Sequence, residues 1–165
     1  MILISKDNGL NYLIERNVTP EMIKYFNLFY CKNDTKIGER IYQTKERIVI
    51  PIYDLSANLV SWQARAVRKD VSPKYMFPPK FKGAELIYNA HNINKGEDII
   101  VCEGVFDVFG WFKSGFKNSI ATFGKKISKH QLDVLKSLKP RVVYMAWDDD
   151  AQSEKEEFAK KFHLS

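Results

Sequence analysis

The sequence predicts an α/β fold: a parallel sheet flanked by helices in the second half, preceded by a small α+β subdomain. Three observations carry this reading. From residue 97 onward, short apolar runs alternate with helix-period segments, the pattern of parallel strands joined by crossover helices. Between residues 47 and 67, two β-prone runs flank a turn-prone tetrapeptide, which reads as a hairpin. Ahead of the hairpin, residues 9–28 carry apolar side chains at helical spacing. The change of pattern divides the chain into a first subdomain at 1–96 and a second at 97–165.

The elements follow in order. "GLNYLIERN" (9–17) sets Leu10, Leu13 and Ile14 on one helical face. "TPEMIKYFNL" (19–28) is a second helix, with Thr19 as N-cap, Pro20 at the first helical position and Glu21 in the first turn. Two helices joined this closely could form a DNA-reading pair. However, the second has Lys24 as its only cation on a mostly apolar surface, which favours plain packing. "RIVIPIYD" (47–54) and "LVSWQARAV" (59–67) are the hairpin strands around "LSAN". In the second strand the period of two puts Ser61, Gln63 and Arg65 on one face and Val60, Trp62 and Ala64 on the other. The sequence therefore predicts a polar face running into the loop that follows.

The second half reads as strand 98–104, helix 105–115, strand 118–124, helix 128–139 with Ser128 as N-cap, strand 141–150 and helix 153–162. In such sheets functional groups gather beyond the carboxyl ends of the strands. Glu103 stands at one of these ends and Asp148, Asp149 and Asp150 at another. Three carboxylates at the end of a buried strand repel one another unless a cation lies among them.

Composition limits the function classes. At 165 residues the chain can bury a core. Its 45% apolar and 13% aromatic content is that of a globular protein. No apolar run has the length of a membrane span, and "MILISKDNGL" is too short and polar for a signal peptide. The expectation is a soluble, cytoplasmic protein with no membrane partner. Cys31 and Cys102 are the only cysteines, with His91, His130 and His163 scattered. That set has no zinc-ligand spacing, and Cys102 inside an apolar strand argues against a disulfide.

The net charge is +6, and its distribution is uneven. "RAVRKDVSPKYMFPPKFK" (65–82) holds Arg65, Arg68, Lys69, Lys74, Lys80 and Lys82 against Asp70 alone, a net of five positive charges. A focused basic patch suits a polyanionic partner; on charge alone, a solvated loop is an equal reading.

The acidic edge admits two readings as well. An extended backbone would turn Asp148 and Asp150 to one side. With Glu103, and with Asp107 one turn into the next helix, they would supply hard oxygen donors for Mg²⁺ or Mn²⁺. Alternatively the aspartates cap the last helix. Three of them, together with a separate strand-end Glu-Gly, favour metal.

These residues resemble the Toprim domain of bacterial DnaG-type primases. The resemblance lies in the strand-end Glu-Gly of "CEGVFDV", the Asp-x-Asp of "WDDDAQ" about forty residues later, and the intervening "IATFGKKISKHQLDVL". Upstream, "RIVIPIYDLSANLVSWQARAV", "PKYMFPP", "KGAELIYN" and "YLIERNVTPEMIKYFNLFY" look like the preceding subdomain of the same primases, in the same order. The resemblance implies a DNA primase core, a DNA-directed RNA polymerase of the primosome that makes short RNA primers on single-stranded DNA. Its substrates would be ribonucleoside triphosphates, its cofactor Mg²⁺ or Mn²⁺, and its setting a bacterial or phage-infected cell.

Carried over, Glu103, Asp148 and Asp150 are its catalytic, metal-binding carboxylates, with Asp107 as a further metal-side residue. Arg65, Lys74 and Lys82 match its groove-lining basic positions, and with Arg68 and Lys80 of the same patch they are the expected nucleotide- and nucleic-acid-binding residues, facing the acidic edge across a cleft. The sequence departs from the family at Asp149, where a glycine is usual, and at Gln152-Ser153, where a small Ala-Gly step is usual. It has no zinc-binding residues, and it runs only one helix past the aspartates. This implies help from a second primase polypeptide, alongside a replicative helicase as partner. The competing readings are a non-catalytic primase-like module that binds nucleic acid or a replication partner, and, further off, a Toprim nuclease.

Overall fold

A computed structural model describes residues 8–37 and 39–163. The described residues form two compact units, one within 8–52 with 59–81 and one within 53–58 with 82–163. The boundary in the chain therefore falls at 81/82, whereas the change of sequence pattern lies near 97. The intervening residues group with the second unit because Tyr88 makes a one-residue antiparallel bridge to Ala121, donating at 2.9 Å and accepting at 3.3 Å.

The first unit opens with α1 (Asn8–Glu15) and α2 (Pro20–Tyr25). Thr19 caps α2 as expected, its hydroxyl accepting from the Met22 amide at 3.3 Å. The sequence reading assigns no element to 29–46, where the structure has β1 (Phe29–Cys31) and a separate two-stranded pair, β2 (Thr35–Ile37) with β3 (Arg40–Tyr42). The hairpin strands are β4 (Arg47–Tyr53) and β5 (Leu59–Ala66), and a short β6 (Tyr75–Met76) follows. The sheet order is β1-β4-β5-β6. β4 is central, and residues 47–52 are buried throughout, which is why it reads as an unbroken apolar run.

Ser61, Gln63 and Arg65, the polar face of β5, are all buried, as are Ala64 and Ala66 of the opposite face, while Leu59 and Val60 at the start of the strand are exposed. Arg65 lies over the Tyr75 ring at 4.6 Å and 5.9 Å from that of Tyr12. Aromatic faces thus take up a guanidinium that alternation alone would assign to solvent.

The second unit is a parallel three-stranded sheet in the order β8-β7-β9, built from β7 (Ile99–Cys102), β8 (Ser119–Ala121) and β9 (Val143–Ala146). Ile100 pairs with Ser119 and Tyr144, and Cys102 with Ala121 and Ala146. Alternation sends Ile99, Val101 and Ile120 to one face, where they join Leu132 and Leu135 of α4 (Lys129–Ser137) and Phe158 of α5 (Gln152–His163). The other face is packed by α3 (Val105–Lys113), which buries Val108, Phe109 and Phe112. The Ser119 hydroxyl at 3.5 Å from the Val108 carbonyl marks that contact. Cys31 and Cys102 are both free thiols. Burial, with the Asp107 charge adding, pushes the Cys102 thiol up to about 12. Among the described residues no helix is long and apolar enough to cross a membrane.

Candidate functional site

The sheet order decides what meets at its carboxyl edge. β7 is the middle strand, so Glu103, one residue past its end, lies between the turn that leaves β8 and the turn that leaves β9. Gly104 starts α3 with an extended backbone (φ −121°, ψ 161°). Its amide donates to Asp107 Oδ2 at 3.0 Å. Asp107 therefore spends one oxygen capping its own helix, where the N-terminal dipole also favours its charge. A Cβ on Gly104 would come within 3.2 Å of that oxygen, so the cap and the small residue depend on each other.

β9 ends at Ala146, not at residue 150. Trp147 turns its indole into the core, Asp148 is exposed, and 149–151 form a 3-10 turn closed by the Ala151 amide donating to the Asp148 carbonyl at 3.0 Å. Trp147 and Ala151 are both buried, four residues apart, and that helical spacing winds the aspartates into a turn. The expected extended geometry, with Asp148 and Asp150 sharing a side by alternation, does not occur. The capping reading fares no better at Asp148, whose side chain makes no capping hydrogen bond although it holds the N-cap position.

The group that answers the acidic run is Lys125, in the turn after β8, which the sequence reading did not single out. Thr122 is buried and anchors this turn. Its amide donates to the Cys102 carbonyl at 3.1 Å, and its hydroxyl lies 3.2 Å from that carbonyl and 2.8 Å from the carbonyl of Gly124. Phe123 (φ 59°) and Gly124 (φ 150°) then reverse the chain, and Lys125 reaches an ion pair with Asp150 Oδ1. The hydrogen bond to Asp150, followed by the charges of Asp150, Glu103 and Asp148, raises the Lys125 ammonium above its ordinary range against the effect of burial. The same hydrogen bond holds the Asp150 carboxyl below the usual carboxylate range. Three carboxylates from two neighbouring strands thus act on one ammonium from the third.

These donors suit a hard divalent cation chemically. Among the described residues, though, no three His, Cys, Asp or Glu side chains converge on a single ion position. Asp107 faces its own helix start and Asp150 faces Lys125.

The basic residues divide between the units. In the first, Arg65 is buried, while Arg68, Lys74 and Lys80 are exposed. Arg68 is forked onto Asp70 and lies 3.5 Å from Glu46. Lys74 and Lys80 form no ion pair with a described residue. Lys82 belongs to the second unit, paired at 2.8 Å with Glu85. Such exposed pairs are weak and exchange readily for phosphate.

Arg47 is a second residue that sequence reasoning missed. It is 3% exposed, and its Nη1 donates at 2.8 Å to the Pro73 carbonyl. Burial draws its guanidinium below the ordinary range. With the Ala66 amide donating to Lys74 at 3.0 Å, it fixes the base of the basic segment. An arginine opening an otherwise apolar strand was the available signal.

A family described as Toprim-like matches residues 100–161. The chain is 31% identical over 172 residues to the DNA primase of Helicobacter pylori (strain J99), covering 86% of this chain and 30% of that protein. It is 32% identical over 126 residues to the DNA primase of Campylobacter jejuni, covering 72% of this chain and 21% of that protein. Among solved structures it is similar to the zinc-binding and RNA polymerase domains of the Aquifex aeolicus primase. That likeness has a TM-score of 0.80 at 22% identity and covers 98% of this chain and 48% of that one. It is also similar to a DnaG primase catalytic domain bound to single-stranded DNA, with a TM-score of 0.78 at 18% identity, covering 98% of this chain and 63% of that one. The chain thus spans about a fifth to a third of the length of the curated relatives it matches, from 21% to 36%, and the structural likeness establishes the fold.

Proposed function

This chain is a relative of the bacterial DnaG-type DNA primases and carries their Toprim-like region; from that premise we propose that it serves as a primase catalytic core or core subunit. It would make short RNA primers on single-stranded DNA from ribonucleoside triphosphates. The observation that carries this reading is the carboxyl edge of the parallel sheet. There Glu103 from the central strand and Asp148 and Asp150 from its neighbour act on a common cation, within a chain aligned over 86% of its length with a DNA primase.

Each group has a role that its chemistry supports. Glu103 and Asp148 would be the donors for Mg²⁺ or Mn²⁺, with Asp150 beside them in the same acidic edge, paired with Lys125. When bound, such an ion neutralises and polarises phosphate oxygens during nucleotidyl transfer. Asp107 keeps the start of α3 in place beside Glu103 and acts by position. Lys74, Lys80, Arg68 and Lys82 take the phosphate backbone of template or primer, contacts that give affinity and register without reading sequence. Arg65, buried between two tyrosines, and Arg47, bonded to Pro73, hold the base of the basic segment. A second primase polypeptide and a replicative helicase are the protein partners this role calls for.

The test is to identify the product. The folded protein is incubated with single-stranded DNA, labelled ribonucleoside triphosphates and Mg²⁺ or Mn²⁺, alone and with the remainder of a primase polymerase region supplied as a second polypeptide. Short RNA chains that require the template are expected. Shortened DNA without RNA would replace this reading by a nuclease. DNA retention without either product, under both conditions, would replace it by a binding module.

A further inference from the structure

Lys125 reaches over the end of the central strand to a carboxylate supplied from the far side of the sheet. Its turn leaves β8, Asp150 follows β9, and Glu103 ends β7 between them. The reach is built in. Buried Thr122 ties the turn to the Cys102 carbonyl, and positive φ at Phe123 and Gly124 aims the chain back across the edge. The Lys125 side chain is 27% exposed against 72% for Asp150, so the lysine is the seated member of the pair.

We propose that the Lys125 ammonium is a resident cation of the acidic edge, standing where a second divalent ion would bind, so that this chain holds one divalent ion through Glu103 and Asp148. The inference rests on the reading of this edge as a cation-binding centre. An ammonium has three donors and no lone pair, so it takes up carboxylate oxygens without offering a ligand to a metal. It also repels a divalent ion at coordination range from Asp150. The ammonium sits among carboxylates from two neighbouring strands, ion-paired with Asp150 and within reach of the charges of Glu103 and Asp148. Among the described residues, the Lys125 ion pair occupies Asp150 Oδ1, leaving Glu103 and Asp148 as the carboxylates of the edge without an ammonium partner of their own.

Counting bound Mn²⁺ by loss of the free-ion electron paramagnetic resonance signal tests this without reference to activity. The full chain should bind one Mn²⁺, lost in Glu103→Gln. Lys125→Ala should bind two, the second at least ~10-fold weakened when Asp150→Asn is added. Lys125→Arg, which keeps the charge, should stay at one. Thermal melts of all variants confirm that each is folded. Two ions in the wild type, or one ion in both wild type and Lys125→Ala, would overturn the inference and leave the cation centre standing. No Glu103-dependent Mn²⁺ in any variant would overturn the centre itself, and this inference with it.

Discussion

At the scale of the residue, polar side chains placed on the backbone by hydrogen bonds do most to shape the edge of the sheet. Gln131 is fully buried in α4. Its amide nitrogen lies within 3.0 Å of the carbonyls of Gly83, Leu86 and Thr122, and its carbonyl accepts from the Ser128 amide at 3.0 Å. One side chain thus joins the 83–86 segment to the turn that carries Lys125. Gln131→Leu keeps similar bulk but strands buried carbonyls, and is expected to cost ~2–4 kcal/mol of stability, read by urea denaturation. A loss well under 1 kcal/mol would mean that water replaces the amide there. Sequence reading could find Ser128, because an N-cap has a positional signature. The Ser128-x-x-Gln131 spacing of a capping box was legible too, but not the carbonyls that the Gln131 amide meets 9 to 48 residues away, nor the partner of Lys125, 25 residues away.

At the scale of the element, what was legible followed periodicity, and what was not depended on packing against other elements. The three parallel strands and their helices stand within a few residues of their expected places because a strand buried on both faces is a continuous apolar run. β9 was read four residues too long, since "WDDD" continues the line of the strand in sequence while Trp147 and Ala151 are drawn into the core as a helical turn. Alternation marked the two faces of β5 without saying that the polar one, with Ser61, Gln63 and Arg65, is covered. Strands β1, β2 and β3, of three residues each, are too short for a period to show.

The basic segment between β5 and the 3-10 turn at Gly83–Glu85 makes a prediction at this scale. Lys74→Ala and Lys80→Ala should each weaken single-stranded DNA binding and reduce the slope of log affinity against log salt by about 0.7. An unchanged slope would remove them from the nucleic-acid surface.

The hairpin turn makes another. Asp54 accepts from the amides of Ser56 and Asn58, both at 2.9 Å, and the adjoining Tyr53 ring lies 4.8 Å from His91. Burial draws the His91 imidazole below its ordinary 6.5, with the Asp54 charge opposing. The folded protein therefore binds fewer protons at this site than the unfolded chain once the pH falls below about 6.5, and stability declines in that direction. His91→Gln should flatten this part of a melting-temperature profile taken between pH 7.5 and 5.5. An equally steep profile in the variant would locate the dependence elsewhere.

At the scale of the whole molecule, the order of blocks along the chain carried more information than any single motif. Glu-Gly followed by Asp-x-Asp points to Toprim chemistry in general. The upstream hairpin and basic segment point to primases, and the similarity to DNA primases of Helicobacter pylori and Campylobacter jejuni spans both parts. The chain spans 30% of the length of the Helicobacter protein. The division of labour can be tested within this chain. Carboxylates at strand ends are assigned to the chemical step, and lysines of the 65–82 segment to holding nucleic acid. The most direct measurement is the rate of primer synthesis at saturating single-stranded DNA for Asp148→Asn, with Lys74→Ala beside it and each shown to be folded by its melting curve. Asp148→Asn should lose at least ~100-fold, which no amount of template restores, whereas Lys74→Ala recovers with template. Synthesis by Asp148→Asn at the wild-type rate would show that the acidic edge is not the centre of the reaction.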